Sequence, residues 1–249
     1  MDSHLMWECY MSDDSNFVTI NTSLLMLHTD KPIKEDANKL KGYIANQFRD
    51  YPIFHNHYGN RCLFTDSRIQ YKIINGNGYV LGIKEGTEMI KLLSDIKELH
   101  LGNSIYSVRP IFCDKEEILM KTDELIQYDF KSPWAAFNDD NYEIYKRLYK
   151  AQDFTNIKLF LNNILRGNMI SLCKAFGLYI KGEVYVQTRL KKVNLVYKVK
   201  RPAFIGEFRA NIAIPDFFGI GGKVSTGFGV VKRRLDGDHY LGNTSFHFF

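Results

Sequence analysis

The run His55-Asn56-His57-Tyr58, with basic Arg61 just beyond it, is where this sequence offers proton-transfer chemistry. An imidazole titrates near pH ~6.5, so one histidine can accept a proton and another donate one around neutrality. That is enough to cut RNA without a metal. The 2′-hydroxyl loses its proton and attacks the neighbouring phosphorus, the leaving 5′-oxygen gains one, and positive charge steadies the phosphorane. Positioned acid–base groups contribute on the order of 10²- to 10⁴-fold each. His57 is the first candidate for proton transfer and His55 the second. If residues 51–58 run extended, both side chains point to the same side. Tyr58 or Lys72 would orient the hydroxyl or stabilise charge. His4, His28, His100, His239 and His247 read as ordinary histidines. A metal-dependent HNH nuclease spreads its residues over a ββα site rather than one tripeptide, and no carboxylate cluster suited to two-metal catalysis stands out. No metal or cofactor is expected.

A second stretch suits phosphate. Between Ile214 and Val230 the glycines fall as G-x-G, five residues, then G-x-G: Gly219, Gly221, Gly227 and Gly229, with Gly222 beside them. Glycine permits positive φ and has no Cβ, so backbone N–H groups can approach a phosphate closely. Lys223 adds a charge, and Ser225 and Thr226 add hydroxyl donors. A dinucleotide-binding G-x-G-x-x-G would need glycine or alanine at 224, where Val224 stands, and a βαβ unit after it. A P-loop would need Ser or Thr after Lys223 and glycine at 217, which is Phe217. Both nucleotide readings fail, leaving a phosphate cradle or a tight turn before a terminal strand.

Charge is polarised along the chain. The net charge is +5, yet Lys146–Arg234 holds eighteen Lys or Arg against Asp153, Glu183, Glu207 and Asp216. The remainder holds fifteen basic and twenty-four acidic residues. Such asymmetry points to a polyanionic partner. Arg189, Lys191, Lys192, Lys198, Lys200 and Arg201 form the basic set closest in sequence to the glycines. Together with Gly219, Gly221, Gly222, Lys223, Ser225, Gly227 and Gly229 they are the candidate RNA-binding residues; Lys146, Arg147 and Lys150 would extend the surface. Cys9, Cys62, Cys113 and Cys173 are far apart with no C-x-x-C pair, so a thiolate metal site is not expected. The longest apolar runs are far shorter than a membrane span, and no signal pattern opens the chain, so a soluble cytoplasmic protein is expected.

The elements needed to hold these residues can be read from periodicity. Phe17–Leu27 alternates as a strand, with Val18, Ile20, Thr22, Leu24 and Met26 on one face. Thr29 or Asp30 would cap a helix with Pro32 in its first turn and a buried stripe of Ile33, Ala37, Leu40, Ile44 and Phe48. Strands follow near Arg61–Phe64 and Arg68–Gly82, the second folded by Asn75-Gly76-Asn77-Gly78 into a hairpin. A helix at Thr87–Ile96 and a strand at Ile105–Phe112 complete β-α-β-β-α-β, the ferredoxin-like order. The second half repeats it loosely: a strand near Ile118–Tyr128, helices between Asp139 and Leu178, strands at Glu183–Leu190, Val193–Lys200 and Ala203–Ile214, and a last strand at Gly227–Arg233. The expected architecture is α+β, two tandem ferredoxin-like domains over 1–115 and 116–249, joined near Cys113–Ile118.

The G-x-G-x5-G-x-G signature close to the C-terminus resembles that of the RAMP superfamily. Ile214-Pro215-Asp216-Phe217-Phe218-Gly219-Ile220-Gly221 and Val224-Ser225-Thr226-Gly227-Phe228-Gly229 are similar to the CRISPR precursor-RNA processing endoribonucleases. Leu40–Phe48, Ile69–Lys72 and Ser132–Asn138 match as well, so the resemblance covers nearly all the chain after Phe17. It implies tandem ferredoxin-like domains and a catalytic histidine after the first helix. It also implies cleavage of CRISPR repeat RNA in pre-crRNA, leaving a 2′,3′-cyclic phosphate and a 5′-hydroxyl. Its partners would be that RNA and subunits of a CRISPR effector complex, the protein itself being a monomer or homodimer. The alternative is a non-catalytic RAMP subunit that binds guide RNA within such a complex.

Overall fold

The computed structural model describes residues 16–58, 61–62, 67–193 and 201–234, with backbone only at 57–58 and 61–62. Strand β1 (Phe17–Thr29) leads to helix α1 (Ala37–Gln47), and a two-residue ribbon, β2 (His57–Tyr58) and β3 (Arg61–Cys62), follows. Next come the hairpin β4 (Ile69–Ile74) and β5 (Asn77–Ile83), and helix α2 (Gly86–Ile90), which tightens into a 3-10 turn at Lys91–Leu93. Asn75 and Gly76 both take positive φ, 51° and 78°, as the Asn-Gly turn requires. β6 (Glu98–Leu101) and the start of β7 (Ser104–Phe130) close the first unit. Its sheet order, β4-β5-β1-β7, is the antiparallel ferredoxin-like order expected from the sequence.

The first helix begins later than its apolar stripe suggested. Asp36, not Thr29 or Asp30, caps it, accepting from the Lys39 amide at 3.1 Å. Ile33 is buried ahead of the helix, held by its N–H to the Gly76 carbonyl at 2.8 Å. A carboxylate satisfying an orphan amide of the first turn fixes the start more strongly than continued periodicity.

The larger departure is β7. The sequence suggested two strands with a link at Cys113–Ile118, yet one strand of 27 residues runs from Ser104 to Phe130. Its ladder with β1 is unbroken from Thr29↔Val108 to Phe17↔Met120. The charged run Asp114–Glu116 looks like a loop because strands are poor in such residues. Here those side chains are exposed, so they keep their water while the backbone pairs with β1. The expected border at 115/116 falls inside this strand. β7 is the last strand of the first unit and the first of the second.

The second unit adds α3 (Asp139–Lys150), α4 (Phe154–Ala175), β8 (Val186–Val193), β9 (Ala203–Ala213) and β10 (Val231–Arg233). The strands are ordered β10-β7-β9-β8, again the ferredoxin-like order. No second helix separates β9 from β10; the glycine-rich segment stands in its place, with a 3-10 turn at Val224–Thr226. One core lies under α1, around Leu25, Leu27, Leu40, Ile44, Tyr71 and Val80. The other joins α4 and the second unit's strands to Ile20, Leu81, Ile83 and Leu119. β1 is therefore covered on both faces, and the second of these cores spans the two units.

Candidate active site

The histidine segment is a turn rather than a strand. Pro52–His55 forms a single 3-10 turn, with Phe54 stacked on Phe48 of the α1 end at 4.9 Å between ring centroids. Tyr71 of β4 donates to the Phe54 carbonyl at 3.1 Å, tying the turn to the sheet. Asn56 then takes the left-handed conformation, φ 66° and ψ 35°, before β2 begins at His57. This breaks the two-residue alternation that would have put His55 and His57 on one side. His55 is exposed at the end of the turn. His57 and Tyr58 pair by backbone with Cys62 and Arg61; their side chains lie outside the described residues.

The glycines of the second stretch are explained first by packing. At Gly229 (φ 63°) an added Cβ would lie 2.0 Å from the Ile220 carbonyl oxygen, and at Gly221 (φ 88°) 2.5 Å from Nε1 of Trp134. Several of the N–H groups expected to cradle phosphate donate within the protein. Gly219 donates to Oε1 of Gln70 at 3.0 Å, Gly222 to the Ala135 carbonyl at 3.0 Å, Gly227 to that of Val224 at 3.3 Å and Gly229 to that of Pro133 at 2.9 Å. The segment presents its side chains instead: Lys223 exposed, Ser225 and Thr226 half-buried. Between it and the start of α1 lies a cleft of about 260 Å³, lined in part by Asp36, Asn38, Ile73, Lys223 and Thr226.

Two contacts tie the glycine segment to the first unit, one at the histidine turn and one at β4. The first is through Asn56, which is 6% exposed. Lys41 Nζ can only donate, which sets the amide orientation: the Asn56 oxygen accepts from Lys41 Nζ (3.0 Å) and Ser225 Oγ (2.6 Å). Its nitrogen donates to Ser67 Oγ (3.0 Å) and the Ile69 carbonyl (3.3 Å). The second contact runs through Gln70, whose Oε1 accepts from both Gly219 N and Lys72 Nζ (2.8 Å). Neither Asn56, Gln70 nor Lys41 was singled out from sequence. Only the position of Asn56 between two histidines could have flagged it.

Lys72 does not reach a substrate from where it sits. It is fully buried on β4, facing the glycine segment, and burial pulls its ammonium from the usual lysine value down to about 7. Its folded pKa is depressed, so between about pH 7 and the unfolded lysine value near ~10.4 the unfolded chain binds more protons. Stability therefore rises with pH across that window. We expect Lys72→Met, which fills the same space without a charge, to abolish that rise and to stabilise the protein at pH 7, as read from urea midpoints on either side of the window.

Among the described residues the basic set divides between two faces. Arg189 and Lys191 share the open face of β8, with Arg189 3.7 Å from Glu207. Lys192 points to the helix side, its ammonium 4.2 Å from the centre of the Tyr149 ring. Arg201 donates to the Phe137 carbonyl at 3.0 Å and pairs with Asp139, bracing the start of α3. The pleat divides neighbours that the sequence lists side by side. The open face also gathers Arg209, which bonds Gln127, and Arg234, which pairs with Asp129 and with Glu207 at 2.7 Å. Lys198 and Lys200 lie outside the described residues.

Known proteins share this fold. Residues 18–122 match the Cas6b N-terminal domain and residues 120–234 the Cas6b C-terminal domain, the two meeting inside β7. An uncharacterized protein of Methanocaldococcus jannaschii is 38% identical over 149 residues, 58% of this chain and 98% of that one. A crystal structure of Cas6b aligns at a TM-score of 0.79 and 31% identity, over 87% of this chain and 100% of the other. A crystal structure of the CRISPR RNA processing endoribonuclease Cas6b aligns at 0.67 and 28%, over 86% and 100%. With both family domains matched in order across nearly all the described residues, the chain belongs to the Cas6b family.

Proposed function

We propose that this protein is a metal-independent endoribonuclease that binds CRISPR repeat RNA in precursor transcripts and cuts it to mature crRNA. The observation that carries this is the Asn56–Ser225 contact, which joins the histidine turn of the first unit to the glycine-rich segment of the second. The name of the second Cas6b structure, a CRISPR RNA processing endoribonuclease, agrees with it. In this reading the scissile phosphate lies at the histidine turn. His57 exchanges the proton of the 2′-hydroxyl or of the 5′-oxygen, His55 serves the opposite step, and Tyr58 orients the hydroxyl. Lys41, whose ammonium meets the turn at Asn56, supplies positive charge near the phosphorane. The products are a 2′,3′-cyclic phosphate and a 5′-hydroxyl.

Arg189, Lys191, Lys198, Lys200 and Lys223 would follow the RNA backbone beyond the cut, with base contacts to unpaired nucleotides selecting the phosphate. We place the reaction in the cytoplasm, with subunits of a CRISPR effector complex as the next holders of the product. Among the described residues no helix is long and apolar enough to cross a membrane.

The test is incubation with repeat RNA in EDTA. Cleavage at one phosphate with a cyclic-phosphate end, identified by mass, is expected; intact RNA under those conditions sinks the proposal. Binding of an RNA blocked by a 2′-deoxy sugar at the cut should weaken with salt, by roughly 0.7 log units per phosphate contact for each tenfold rise.

A further inference from the structure

We infer that Asn56 is a positioning residue for cleavage, holding the histidine turn at a fixed distance from the glycine-rich segment. This rests on the function proposed above. Asn56 meets the two requirements of its place separately. Its backbone is left-handed, which Asn and Gly tolerate better than other residues. Glycine would satisfy that alone. The side chain answers a second demand, since two donors and two acceptors converge on it: Lys41 and Ser225 give hydrogens, while Ser67 Oγ and the Ile69 carbonyl receive them.

Those partners come from three stretches, namely α1, residues 67–69 at the start of β4, and the glycine segment of the other unit. Only a neutral amide offers both halves of the pattern. Aspartate would place a second oxygen against the Ile69 carbonyl, and leucine would leave buried polar groups without partners. The peptide planes on either side of Asn56 belong to His55 and His57, so a shift of its Cα tilts both. A misplacement of about 1 Å in a reacting geometry costs on the order of 10²-fold in rate. Asn56 touches neither the RNA nor a transferred proton in this scheme. It acts through its neighbours.

The experiment uses the full chain with Asn56→Gly, which keeps the backbone conformation, and Ser225→Ala, which removes one hydroxyl. Single-turnover cleavage should fall on the order of 10²-fold for Asn56→Gly, with unchanged affinity for the 2′-deoxy-blocked RNA. Ser225→Ala should lose part of that rate, Ser225→Thr should restore it, and the double variant should be no slower than Asn56→Gly alone. The imidazole NMR signals of His55 and His57 should move in Ser225→Ala, although residue 225 lies in the other unit. Additive losses, a rate that falls only in step with binding, or unmoved imidazole signals would each overturn the inference. Wild-type protein that leaves the RNA intact sinks the proposed function instead, and the imidazole signals then still decide whether Asn56 couples the two segments.

Discussion

A chain carrying His55→Ala and His57→Ala together is expected to bind repeat RNA as the wild type does and leave it uncut. Each imidazole in an acid–base pair contributes on the order of 10²- to 10⁴-fold, so losing both takes the rate to the background of unassisted RNA. His57→Ala alone should cost more than His55→Ala, because His57 follows the left-handed residue and opens β2, where the backbone is held by pairing with Cys62. His55 ends a 3-10 turn and is exposed. In the proposed reading affinity rests on phosphate contacts elsewhere, so it should not change. Single-turnover cleavage at saturating protein separates the chemical step from binding. A double variant that cuts at the wild-type rate removes the histidines from the mechanism.

The second large effect is on stability. Gly229→Ala should destabilise the protein by about 3 kcal/mol or more. A left-handed conformation costs an L-residue roughly 1–2 kcal/mol. To that is added a Cβ 2.0 Å from the Ile220 carbonyl oxygen, a contact that must be relieved by moving backbone. Backbone there is committed: Ile220 donates to the Gly229 carbonyl at 2.9 Å, and Gly229 to that of Pro133 at 2.9 Å. At roughly 2–4 °C per kcal/mol for a chain of this size, the melting temperature should drop by about 6–12 °C. The same substitution at Gly42 is the control. Gly42 is exposed within α1, an added Cβ meets nothing within 4 Å, and alanine should stabilise there by about 0.5–1 kcal/mol. Thermal unfolding followed by circular dichroism measures both, and a Gly229→Ala protein that melts with the wild type would refute the packing account.

What could be read in advance depended on which force decides each feature. The β4–β5 hairpin was legible because Asn75-Gly76 can hardly be anything but a tight turn, and the α1 stripe because burial repeats every three or four residues. The start of α1 was not, since a capping carboxylate outweighs one more apolar residue. The unbroken β7 was hidden by Asp114-Lys115-Glu116, charged residues that a strand accommodates wherever both of its faces are wet. The histidine turn was visible as residue types but not as shape, because the partners that hold the Asn56 side chain are distant in sequence. Lys72 illustrates the same limit. Nothing local marks a lysine for burial; the glycine segment that covers it lies near the other end of the chain.

β7 has a consequence for anyone recombining these proteins. Chimaeras are usually spliced at a linker, where few contacts cross the cut. Here the residue that ends one unit's ladder nearly begins the other's: Met120 pairs with Phe17 on one side and with Ala213 on the other. A graft that exchanged the histidine half at 115/116 would leave each parent supplying part of a single strand, with registers that must agree on both edges. The strand would have to travel whole, from Ser104 to Phe130, with whichever half is moved.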